Sequence, residues 1–375
     1  MRELGKTENR VLYILGGVMS YGGIESYVMN YYRHLDRTKI QLDFVIHGYG
    51  KGVYDDEILK MGGRIFHVPV KTQNPIKNWS MLHQIMRAYP YHTVHSHMDA
   101  MNFIPLWAAK RCGIPLRISH SHNTDHLTNN KLKVWLNDYA KSKITSVATH
   151  LFACSKAAGE WLYGKDAIFQ VMPNAIDIKQ FAYHPQIRQK IRHNLGFADT
   201  DFVVGHVGRF DYQKNHTFLI KIFDEIYKKN KNARLVCIGK GHLQPEIKAQ
   251  INKLGLQKQV HILPPRPNVN EYYNAFDCFV LPSNFEGLGI VAIEAQCAGL
   301  PCFISDGVPN ETMICDTTQI KLKTAVTQWA DIILEKSLSF NRVDCSDVIA
   351  KAGYDIEQTT HKLQQVYQQS MEKSL

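Results

Sequence analysis

Residues 282–301, PSNFEGLGIVAIEAQCAGLP, decide the fold class of this chain. They follow a short apolar run of strand length, residues 277–281, and begin with the turn residues Pro-Ser-Asn. Glu286 is therefore predicted on a loop at the carboxyl end of a β-strand. A helix is expected after Gly289, because apolar residues recur there until a Gly-x-Pro sequence ends the pattern. The stretch thus predicts a strand–loop–helix unit that presents a carboxylate at a strand end.

The loop between that strand and that helix suits a phosphate. Gly287 and Gly289 have no Cβ atoms, so main-chain N–H groups can come close to a ligand. The first turn of the helix, expected near Leu288, adds free N–H groups and the positive end of the helix dipole. Glu294 lies eight positions after Glu286 and too far inside the helix to cap it. The sequence therefore predicts two carboxylates with an anion site between them.

This Glu-x7-Glu stretch resembles the hallmark of the retaining glycosyltransferases of family 4, which have the GT-B fold and use nucleotide sugars. By this resemblance, Glu294 holds the ribose hydroxyls of the donor and Glu286 lies beside the donor sugar. Residues 208–215, GRFDYQKN, resemble the segment in which an arginine and a lysine clamp the donor phosphates, which assigns that role to Arg209 and Lys214. The resemblance covers nearly the whole chain and is most specific in its second half.

Other donor contacts are implied by the same resemblance. Gly22 and Gly23 follow a strand-like run and open a helix, and they are similar to the first glycine loop of GT-B enzymes, which faces the donor diphosphate. A plain tight turn is the alternative for this glycine pair. Asn268 and Val269 lie where the nucleotide base packs against the backbone in the family. The predicted donor-binding set also includes Gly287, Leu288 and Gly289.

Two histidine pairs, His95-Ser96-His97 and His120-Ser121-His122, end strand-like runs. Each pair places its histidines on one face of its strand. One interpretation is the metal site of a metal-dependent hydrolase, and another is that the histidines line or support the strand ends. In family 4, a histidine at the end of the corresponding strand contacts the transferred sugar. The resemblance favours His122 for this catalytic position, with His120 one pleat away as the alternative.

The remaining sequence predicts two domains. A chain of 375 residues is long enough for two cores, and strand-like runs alternate with helical stretches in both halves. We expect an α/β protein of the GT-B type, with two Rossmann-like, doubly wound parallel-sheet domains that face each other across a cleft. By resemblance, residues 9–175 form the acceptor domain and residues 176–354 the donor domain. A C-terminal helix, residues 355–375, is expected to pack back on the first domain.

The composition excludes several classes of protein. Hydrophobic residues make up 45% of the chain and charged residues 21%, as in ordinary globular proteins. No apolar run approaches the ~20 residues of a membrane span, and the N-terminal residues MRELGKTENR are polar, so a cytoplasmic location is expected. The eight cysteines show no C-x-x-C pairing and are expected to be buried free thiols. No zinc-finger, RNP-type or helix-turn-helix signature is present, so no nucleic-acid partner is expected.

Positive charge is concentrated in one part of the sequence. Between Lys71 and His150, ten Lys or Arg residues face three Asp residues, so this segment carries +7 of the formal charge of +10. Within it, residues 131–143 combine lysines with Trp135 and Tyr139. A solvated helix face is one interpretation. The other is a cationic helix that rests on anionic lipid headgroups at the inner face of the plasma membrane and reaches a lipid-linked acceptor.

The sequence therefore predicts a retaining, hexosyltransferase-type enzyme. It would move a sugar from a nucleotide diphosphate sugar, a UDP-sugar rather than a GDP-sugar, to a hydroxyl of a glycan or polyprenyl-diphosphate-linked acceptor in exopolysaccharide or capsule synthesis. No metal cofactor is expected, because Arg209, Lys214, the glycine loop and the helix start can stabilise the leaving diphosphate. Three alternatives stay open: a nucleotide-sugar epimerase with the same fold, a sugar-nucleotide binding protein, and a metal-dependent hydrolase based on the His-x-His pairs.

Overall fold

The computed structural model describes residues 9–126, 128 and 130–372. The polar N-terminal residues 1–8 and the last residues of the predicted C-terminal helix, 373–375, lie outside the described residues. The chain divides into two compact units. The first contains the described residues up to Asn174 together with those from Ile356 onward, and the second contains Ala175–Asp355.

The first unit is built on a parallel sheet with helices between most consecutive strands. Its described strands are β1 (Asn9–Leu15), β2 (Ile40–His47), β3 (Ile65–Val68), β4 (Thr93–His97), β5 (Leu116–Ser121), β6 (His150–Ala153) and β7 (Gln170–Val171). Its helices are α1 (Gly23–His34), α2 (Asp55–Lys60), α3 (Pro75–Ala88), α4 (Phe103–Arg111), α5 (Lys131–Lys143) and α6 (Lys156–Tyr163). The strand order is β3-β2-β1-β4-β5-β6-β7. This order reverses direction between β1 and β4, which defines a doubly wound sheet.

The second unit repeats this architecture. Its described strands are β8 (Phe202–Val207), β9 (Ala233–Ile238), β10 (Val260–Leu263), β11 (Cys278–Leu281), β12 (Cys302–Ser305) and β13 (Thr317–Ile320). Its helices are α7 (Ile178–Phe181), α8 (Pro185–Asn194), α9 (His216–Lys229), α10 (Gln244–Lys253), α11 (Val269–Ala275), α12 (Ile290–Cys297), α13 (Val326–Leu338) and α14 (Ser346–Ile349). The parallel strands are ordered β10-β9-β8-β11-β12-β13, so the order reverses between β8 and β11. Two doubly wound α/β units agree with the predicted fold class.

The apolar strands of the second unit are buried on both faces. Neighbouring residues of a strand point to opposite sides of the sheet, so a continuous apolar run serves two cores. One core includes Val204 of β8, Leu235 of β9 and Val280 of β11, and the other includes their neighbours Val203, Val236 and Phe279. This explains why these strands read as apolar runs rather than as alternating patterns. Five of the eight cysteines are buried and all eight thiols are free, as the sequence predicted.

The last helix of the chain, α15 (Ile356–Glu372), belongs to the first unit. Tyr367 on this helix is fully buried. Its hydroxyl lies 2.7 Å from the hydroxyl of Tyr13 on β1 and 2.7 Å from Nδ1 of His95 on β4. The helix therefore covers the face of the first sheet that carries these two side chains. Within the described ranges, no helix combines the length and the apolar character that crossing a membrane requires.

Candidate active site

The loops that follow β8 and β11 lie where the strand order of the second sheet reverses. Open α/β sheets bind ligands at the carboxyl ends of their strands, at such a switch point. The loop after β8 carries Arg209 and Lys214, and the loop after β11 carries Glu286. The fold thus places these predicted donor-binding residues on two neighbouring loops.

The carboxylate of Glu286 is held by side chains from both loops, and the residue is only 5% exposed. The Lys214 ammonium donates to Oε1 at 2.6 Å, and the Ser283 hydroxyl donates to the same oxygen at 2.6 Å. Gln213 donates to Oε2 through Nε2 at 3.3 Å. The main-chain N–H of Glu286 donates to the carbonyl of Gly307 at 2.9 Å, which fixes the loop itself. The orientation of Glu286 is therefore determined from several directions.

The two loops are joined by main-chain contacts as well. The N–H of Asn284 donates to the carbonyl of Gln213 at 2.8 Å, and Asn284 Nδ2 donates to the carbonyl of Tyr212 at 2.6 Å. Asn215 follows Lys214 and has a left-handed backbone, with φ of 53°, at the start of α9. Asparagine tolerates this conformation better than most residues. The turn before α9 is thereby fixed, and with it the backbone of Lys214.

Gly289 determines where α12 begins. Its φ is +83°, a left-handed conformation that favours glycine, and a Cβ atom there would lie 3.0 Å from Cγ1 of Val308. The helix starts at Ile290, whereas the sequence predicted a start near Leu288, because Gly289 does not have helical dihedral angles. Leu288 is buried, and its carbonyl accepts a hydrogen bond from the Thr312 hydroxyl. The first-turn N–H groups of α12 therefore follow the Gly287–Gly289 loop directly.

Glu294, in the interior of α12, has a different environment from Glu286. The hydroxyl of Tyr273 on α11 donates to its Oε2 at 2.6 Å. Burial raises the pKa of Glu294 to about 7, and the hydrogen bond from Tyr273 and the charge of Lys214 oppose this rise. Near neutral pH, this carboxyl group therefore exchanges between its ionised and neutral forms.

The other predicted donor contacts of the second unit lie at the ends of elements. Arg209 follows β8 and is exposed, and its Nε pairs with Asp211 at 2.9 Å. Asn268 precedes α11 and donates through Nδ2 to Glu271 at 3.2 Å, and Val269 is the first residue of that helix. The helix that carries the predicted base-binding residues at its start therefore also carries Tyr273, the partner of Glu294.

In the first unit, the predicted glycine pair stands at the start of a helix. Gly23 is the first residue of α1, and Gly22 precedes it in an extended conformation with φ of −113°. The carbonyl of Gly22 accepts a hydrogen bond from the N–H of Ser26 at 2.9 Å. The pair follows β1, which borders the switch point of the first sheet. The sequence placed the helix start correctly, and the structure leaves the donor role of these glycines as a prediction.

The two histidine pairs form one buried group, which we call the four-histidine cluster: His95 and His97 on β4, His120 on β5, and His122 directly after β5. His95 Nε2 and His120 Nδ1 lie 3.1 Å apart in a hydrogen bond, and His97 Nδ1 and His122 Nε2 lie 2.9 Å apart in another. The rings of His120 and His122 are stacked with centroids 4.3 Å apart. Burial lowers the pKa of all four side chains, that of His122 to about 3. The cluster is therefore neutral at physiological pH.

The four-histidine cluster is the place where the metal-hydrolase interpretation would put its metal ion. One nitrogen each of His95, His97 and His120 lies within 4.8 Å of the others, and within the described part of the chain this group contains no carboxylate. Both nitrogens of His95 take part in hydrogen bonds, one to Tyr367 and one to His120. To hold a metal, His95 would have to exchange a hydrogen bond for coordination, whereas Nε2 of His97 and Nε2 of His120 are buried without a hydrogen-bond partner among the described residues. The observed arrangement is a hydrogen-bonded network.

His120 and His122 differ in depth. His120 is fully buried within β5, and its carbonyl accepts a hydrogen bond from Asn102 Nδ2 at 3.1 Å. His122 lies beyond the last residue of β5 and keeps 7% of its surface exposed. Of the two candidates, His122 is thus the one nearer the carboxyl edge of the sheet, where ligands of such sheets bind.

The sequence reasoning missed several residues that contact the predicted ones. Ser283 and Gln213 lie inside the two quoted motifs, and their position beside Glu286 and Lys214 was a signal that pointed to them. Tyr273 is separated from Glu294 by 21 residues, and Tyr367 from His95 by 272, so no local pattern indicated these partners.

Comparisons with known proteins agree with the motifs. The family model described as Glycosyltransferase Family 4 matches residues 21–180, and the model described as Glycosyl transferases group 1 matches residues 187–334. EpsF of Bacillus subtilis (strain 168), a protein named as a glycosyltransferase, is 34% identical to this chain over 99% of both sequences. The UDP-Gal:alpha-D-GlcNAc-diphosphoundecaprenol alpha-1,3-galactosyltransferase of Escherichia coli is 25% identical, over 81% of this chain and 83% of that protein.

A solved structure has the same fold. The crystal structure of Anabaena Alr3699/HepE in complex with UDP-glucose superimposes with a TM-score of 0.78 and covers 96% of this chain and 99% of its own, at 16% sequence identity. Together with the two family models and EpsF, this match replaces the hydrolase interpretation of the histidine pairs. The chain belongs to glycosyltransferase family 4 and is a glycosyltransferase with the GT-B fold.

Proposed function

We propose that this enzyme transfers the sugar of a UDP-sugar, with retention of the anomeric configuration, to a glycan carried on polyprenyl diphosphate, in the assembly of an exopolysaccharide or capsule. The observation that carries the proposal is the Glu286 carboxylate, held by Lys214, Ser283 and Gln213 at the switch point of the second sheet. Two similar proteins support these classes of donor and acceptor. HepE was crystallised in complex with UDP-glucose, and the Escherichia coli enzyme is named for UDP-Gal and a diphosphoundecaprenol acceptor.

In this proposal, the nucleotide is bound by the second unit. Glu294 holds the ribose hydroxyls, and Tyr273 orients its carboxyl group. The backbone at Asn268 and Val269 packs against the uracil base. Because Tyr273 and Val269 belong to the same helix, contacts to the base and to the ribose are set by one rigid element.

The diphosphate is the leaving group, and its negative charge grows during transfer. The bond from the sugar C1 to the diphosphate oxygen breaks, and its electron pair stays on the diphosphate. A new bond forms from C1 to the acceptor oxygen, and the proton of that hydroxyl passes to the departing diphosphate. Arg209, Lys214 and the first-turn N–H groups after Gly289 stabilise the departing charge, and removal of one such group costs about 3 kcal/mol of barrier.

The sugar is positioned by carboxylate and histidine. Glu286 lies beside it and stabilises the positive charge that develops at C1, while Lys214, bonded to the same carboxylate, also contacts the diphosphate. We assign His122 a contact to the transferred sugar, and Gly22 and Gly23 a contact to the diphosphate. Because burial lowers the pKa of His122 to about 3, this ring acts as a neutral hydrogen-bonding group.

The first experiment separates binding from turnover. UDP-, GDP- and ADP-sugars are screened for thermal stabilisation, since a ligand at a hundred times its Kd stabilises a protein by about 2.7 kcal/mol. With the best donor, Glu286→Gln is expected to keep nucleotide binding and lower kcat by about 100-fold, because it removes a charge that acts mainly in the transition state. Glu246→Gln, an exposed carboxylate of the same unit, is the matched control. Unchanged turnover in Glu286→Gln contradicts the assignment.

Two further readouts test the reaction type. The anomeric configuration of the product, read by NMR, is expected to match that of the donor, and inversion contradicts the proposal. Product that forms from the donor without any acceptor would instead identify a nucleotide-sugar epimerase.

The acceptor is proposed to be reached at an anionic membrane surface through α5. One face of this helix carries exposed apolar side chains in the i, i+3, i+4, i+7 pattern of an amphipathic helix. They are Leu132, Trp135, Leu136 and Tyr139, which are 66%, 63%, 48% and 57% exposed. The same helix carries the exposed lysines 131, 133 and 143. An exposed apolar stripe beside lysines is typical of a helix that lies in a membrane interface, where each basic residue contributes about 1 kcal/mol near anionic lipid.

Vesicle binding tests this surface. Wild-type protein is expected to sediment with phosphatidylglycerol vesicles and not with phosphatidylcholine vesicles, and less so as salt increases. Trp135→Ala combined with Leu136→Ala is expected to abolish sedimentation. Ile168→Ala is the control, because Ile168 is 95% exposed but lies outside α5, and it should sediment like wild type. Full activity toward a water-soluble acceptor together with no vesicle binding would contradict the lipid-linked acceptor.

A further inference from the structure

Asp99 holds the segment that carries His122 from two sides. It follows β4 by two residues and begins a short 3₁₀ helix, Asp99–Asn102. Its Oδ1 accepts the main-chain N–H of His122 at 2.6 Å, and its Oδ2 accepts Nδ2 of Asn123 at 2.6 Å. The two carboxylate oxygens of Asp99 therefore accept hydrogen bonds from two consecutive residues, His122 and Asn123, directly after the end of β5.

The backbone of Asp99 is in an unusual conformation. Its φ is +49°, and within the described part of the chain only Asn215 is another non-glycine residue with positive φ. Such conformations are unfavourable for a residue with a Cβ atom and persist where the surroundings fix them. Asn215 directly follows Lys214, and Asp99 directly contacts His122. Both unusual residues thus lie beside side chains to which the proposed function gives a role.

A second contact fixes the start of the same turn. Asn102 accepts the N–H of Met98 at 2.7 Å and donates through Nδ2 to the Ser119 hydroxyl at 2.9 Å and to the carbonyl of His120 at 3.1 Å. The 3₁₀ helix is thereby attached to β5, and Asp99 is brought to the end of that strand. The His122 ring is held from its other side, because its Nε2 is bonded to Nδ1 of His97 on β4.

We propose that Asp99 is a positioning residue that sets the location of the His122 ring relative to the transferred sugar. This inference rests on the sugar contact proposed for His122. Asp99 itself does not contact the reacting atoms. It fixes the backbone of His122 and, through Asn123, the direction in which the chain continues, while His97 fixes the tilt of the ring. Losing the Asp99 contacts would therefore leave donor binding in the second unit intact and would misplace the histidine.

The two side chains of this contact can be exchanged. In Asp99→Asn, the side chain keeps one oxygen for the His122 N–H, and its new N–H group can pair with Asn123 once the Asn123 amide is rotated by 180°. In Asn123→Asp, two carboxylates face each other. The double variant Asp99→Asn/Asn123→Asp restores a donor opposite an acceptor, with the amide now on residue 99. Asparagine also tolerates positive φ, so the backbone of the turn can be kept.

The experiment measures kcat and the donor and acceptor KM for these variants with the donor found in the screen. Asn123→Asp and Asp99→Gly are each expected to lower kcat about 10- to 100-fold with little change in donor KM, because small misplacement of a contacting group has effects of this size. Asp99→Gly accepts the backbone conformation and removes both hydrogen bonds, whereas Asp99→Asn is expected to stay close to wild type. The double variant is expected to recover kcat to within a few-fold of wild type. Asp125→Asn, an exposed aspartate of the same loop, is the matched control.

The outcomes distinguish this inference from the function on which it rests. If wild-type protein transfers no sugar from any donor, the proposed function fails. If His122→Ala keeps its kcat, the sugar contact fails and the inference with it. If His122→Ala lowers kcat but Asp99→Gly does not, or if the double variant is no better than Asn123→Asp while all remain folded by circular dichroism, the positioning role alone is wrong.

Discussion

At the scale of single residues, the two glutamates of the Glu-x7-Glu stretch lie in different electrostatic environments. Glu286 is bonded to a lysine, a serine and a glutamine, so its carboxylate is surrounded by donors. The side chain of Glu294 is enclosed and accepts a hydrogen bond from the Tyr273 hydroxyl, and burial raises its pKa to about 7. The same residue type eight positions apart thus has different hydrogen-bond partners, because the surroundings differ.

The raised pKa of Glu294 leads to a prediction on stability. Its ordinary pKa is 4.5, so between about pH 4.5 and 7 the folded chain holds this proton more tightly than the unfolded chain does. The contribution of Glu294 to the free energy of unfolding is therefore fully present below pH 4.5 and is lost as the pH rises through 7. Glu294→Gln resembles the protonated form and should gain stability relative to wild type over this range, by up to ~3 kcal/mol.

Urea unfolding at pH 5, 6, 7 and 8, followed by hydrogen exchange of peptides from α12, measures this difference. Glu335→Gln, an exposed carboxylate on α13, is the control and should give a pH profile parallel to that of wild type. A parallel profile for Glu294→Gln as well would show that this carboxyl group does not titrate near neutral pH.

At the scale of elements, one hydroxyl group of α15 forms hydrogen bonds with two strands of the first unit. The hydroxyl of Tyr367 contacts both Tyr13 on β1 and His95 on β4, and all three side chains are fully buried. Buried polar groups that lose their partners cost stability, whereas each satisfied bond contributes little. The Tyr367 hydroxyl is therefore one atom of this helix that serves two buried partners on the sheet.

Tyr367→Phe is expected to destabilise the first unit by about 1 to 3 kcal/mol, because it leaves both the Tyr13 hydroxyl and His95 Nδ1 without this partner. Tyr13→Phe should cost less, since Tyr367 then keeps its bond to His95. Amide hydrogen exchange in α15 and β1 is the measurement, and Tyr49→Phe, at an exposed tyrosine, is the control. Equal effects of Tyr367→Phe and Tyr13→Phe would contradict the shared role of the Tyr367 hydroxyl.

Helices and strands could be predicted from the sequence where neighbouring residues determine where they begin and end. The sequence predicts that His95-Ser96-His97 ends a strand, and β4 does end at His97. The start of α12 was predicted near Leu288 and lies at Ile290, because Gly289 has a left-handed and not a helical backbone conformation. Contacts between distant residues were accessible only through the family resemblance, as for Lys214 and Glu286, or were missed, as for Tyr367 and His95.

At the scale of the whole molecule, buried histidines are distributed over both units. The four-histidine cluster lies in the first unit, and His206 and His216 lie in the second. Burial lowers the pKa of each of them, that of His206 to about 4 and that of His216 to about 2. At a pH between its folded and its unfolded pKa, each of these histidines is therefore neutral in the folded chain and charged in the unfolded chain. These side chains couple the stability of both units to pH.

Acidification is expected to destabilise the first unit more steeply than the second. The unfolded pKa of histidine is near 6.5 and the folded values are lower, so below about pH 6.5 the unfolded chain binds more protons and stability falls as the pH falls. Each histidine contributes up to about 1.4 kcal/mol per pH unit in this range. Glu294 acts in the opposite direction and offsets part of the effect in the second unit.

Urea unfolding between pH 7.5 and 5.5, with hydrogen exchange to follow each unit separately, measures how steeply the stability of each unit depends on pH. His150→Gln, at an exposed histidine, is the control and should leave both slopes unchanged. Equal slopes for the two units, or stability that rises on acidification, would mean that the cluster takes up protons without unfolding.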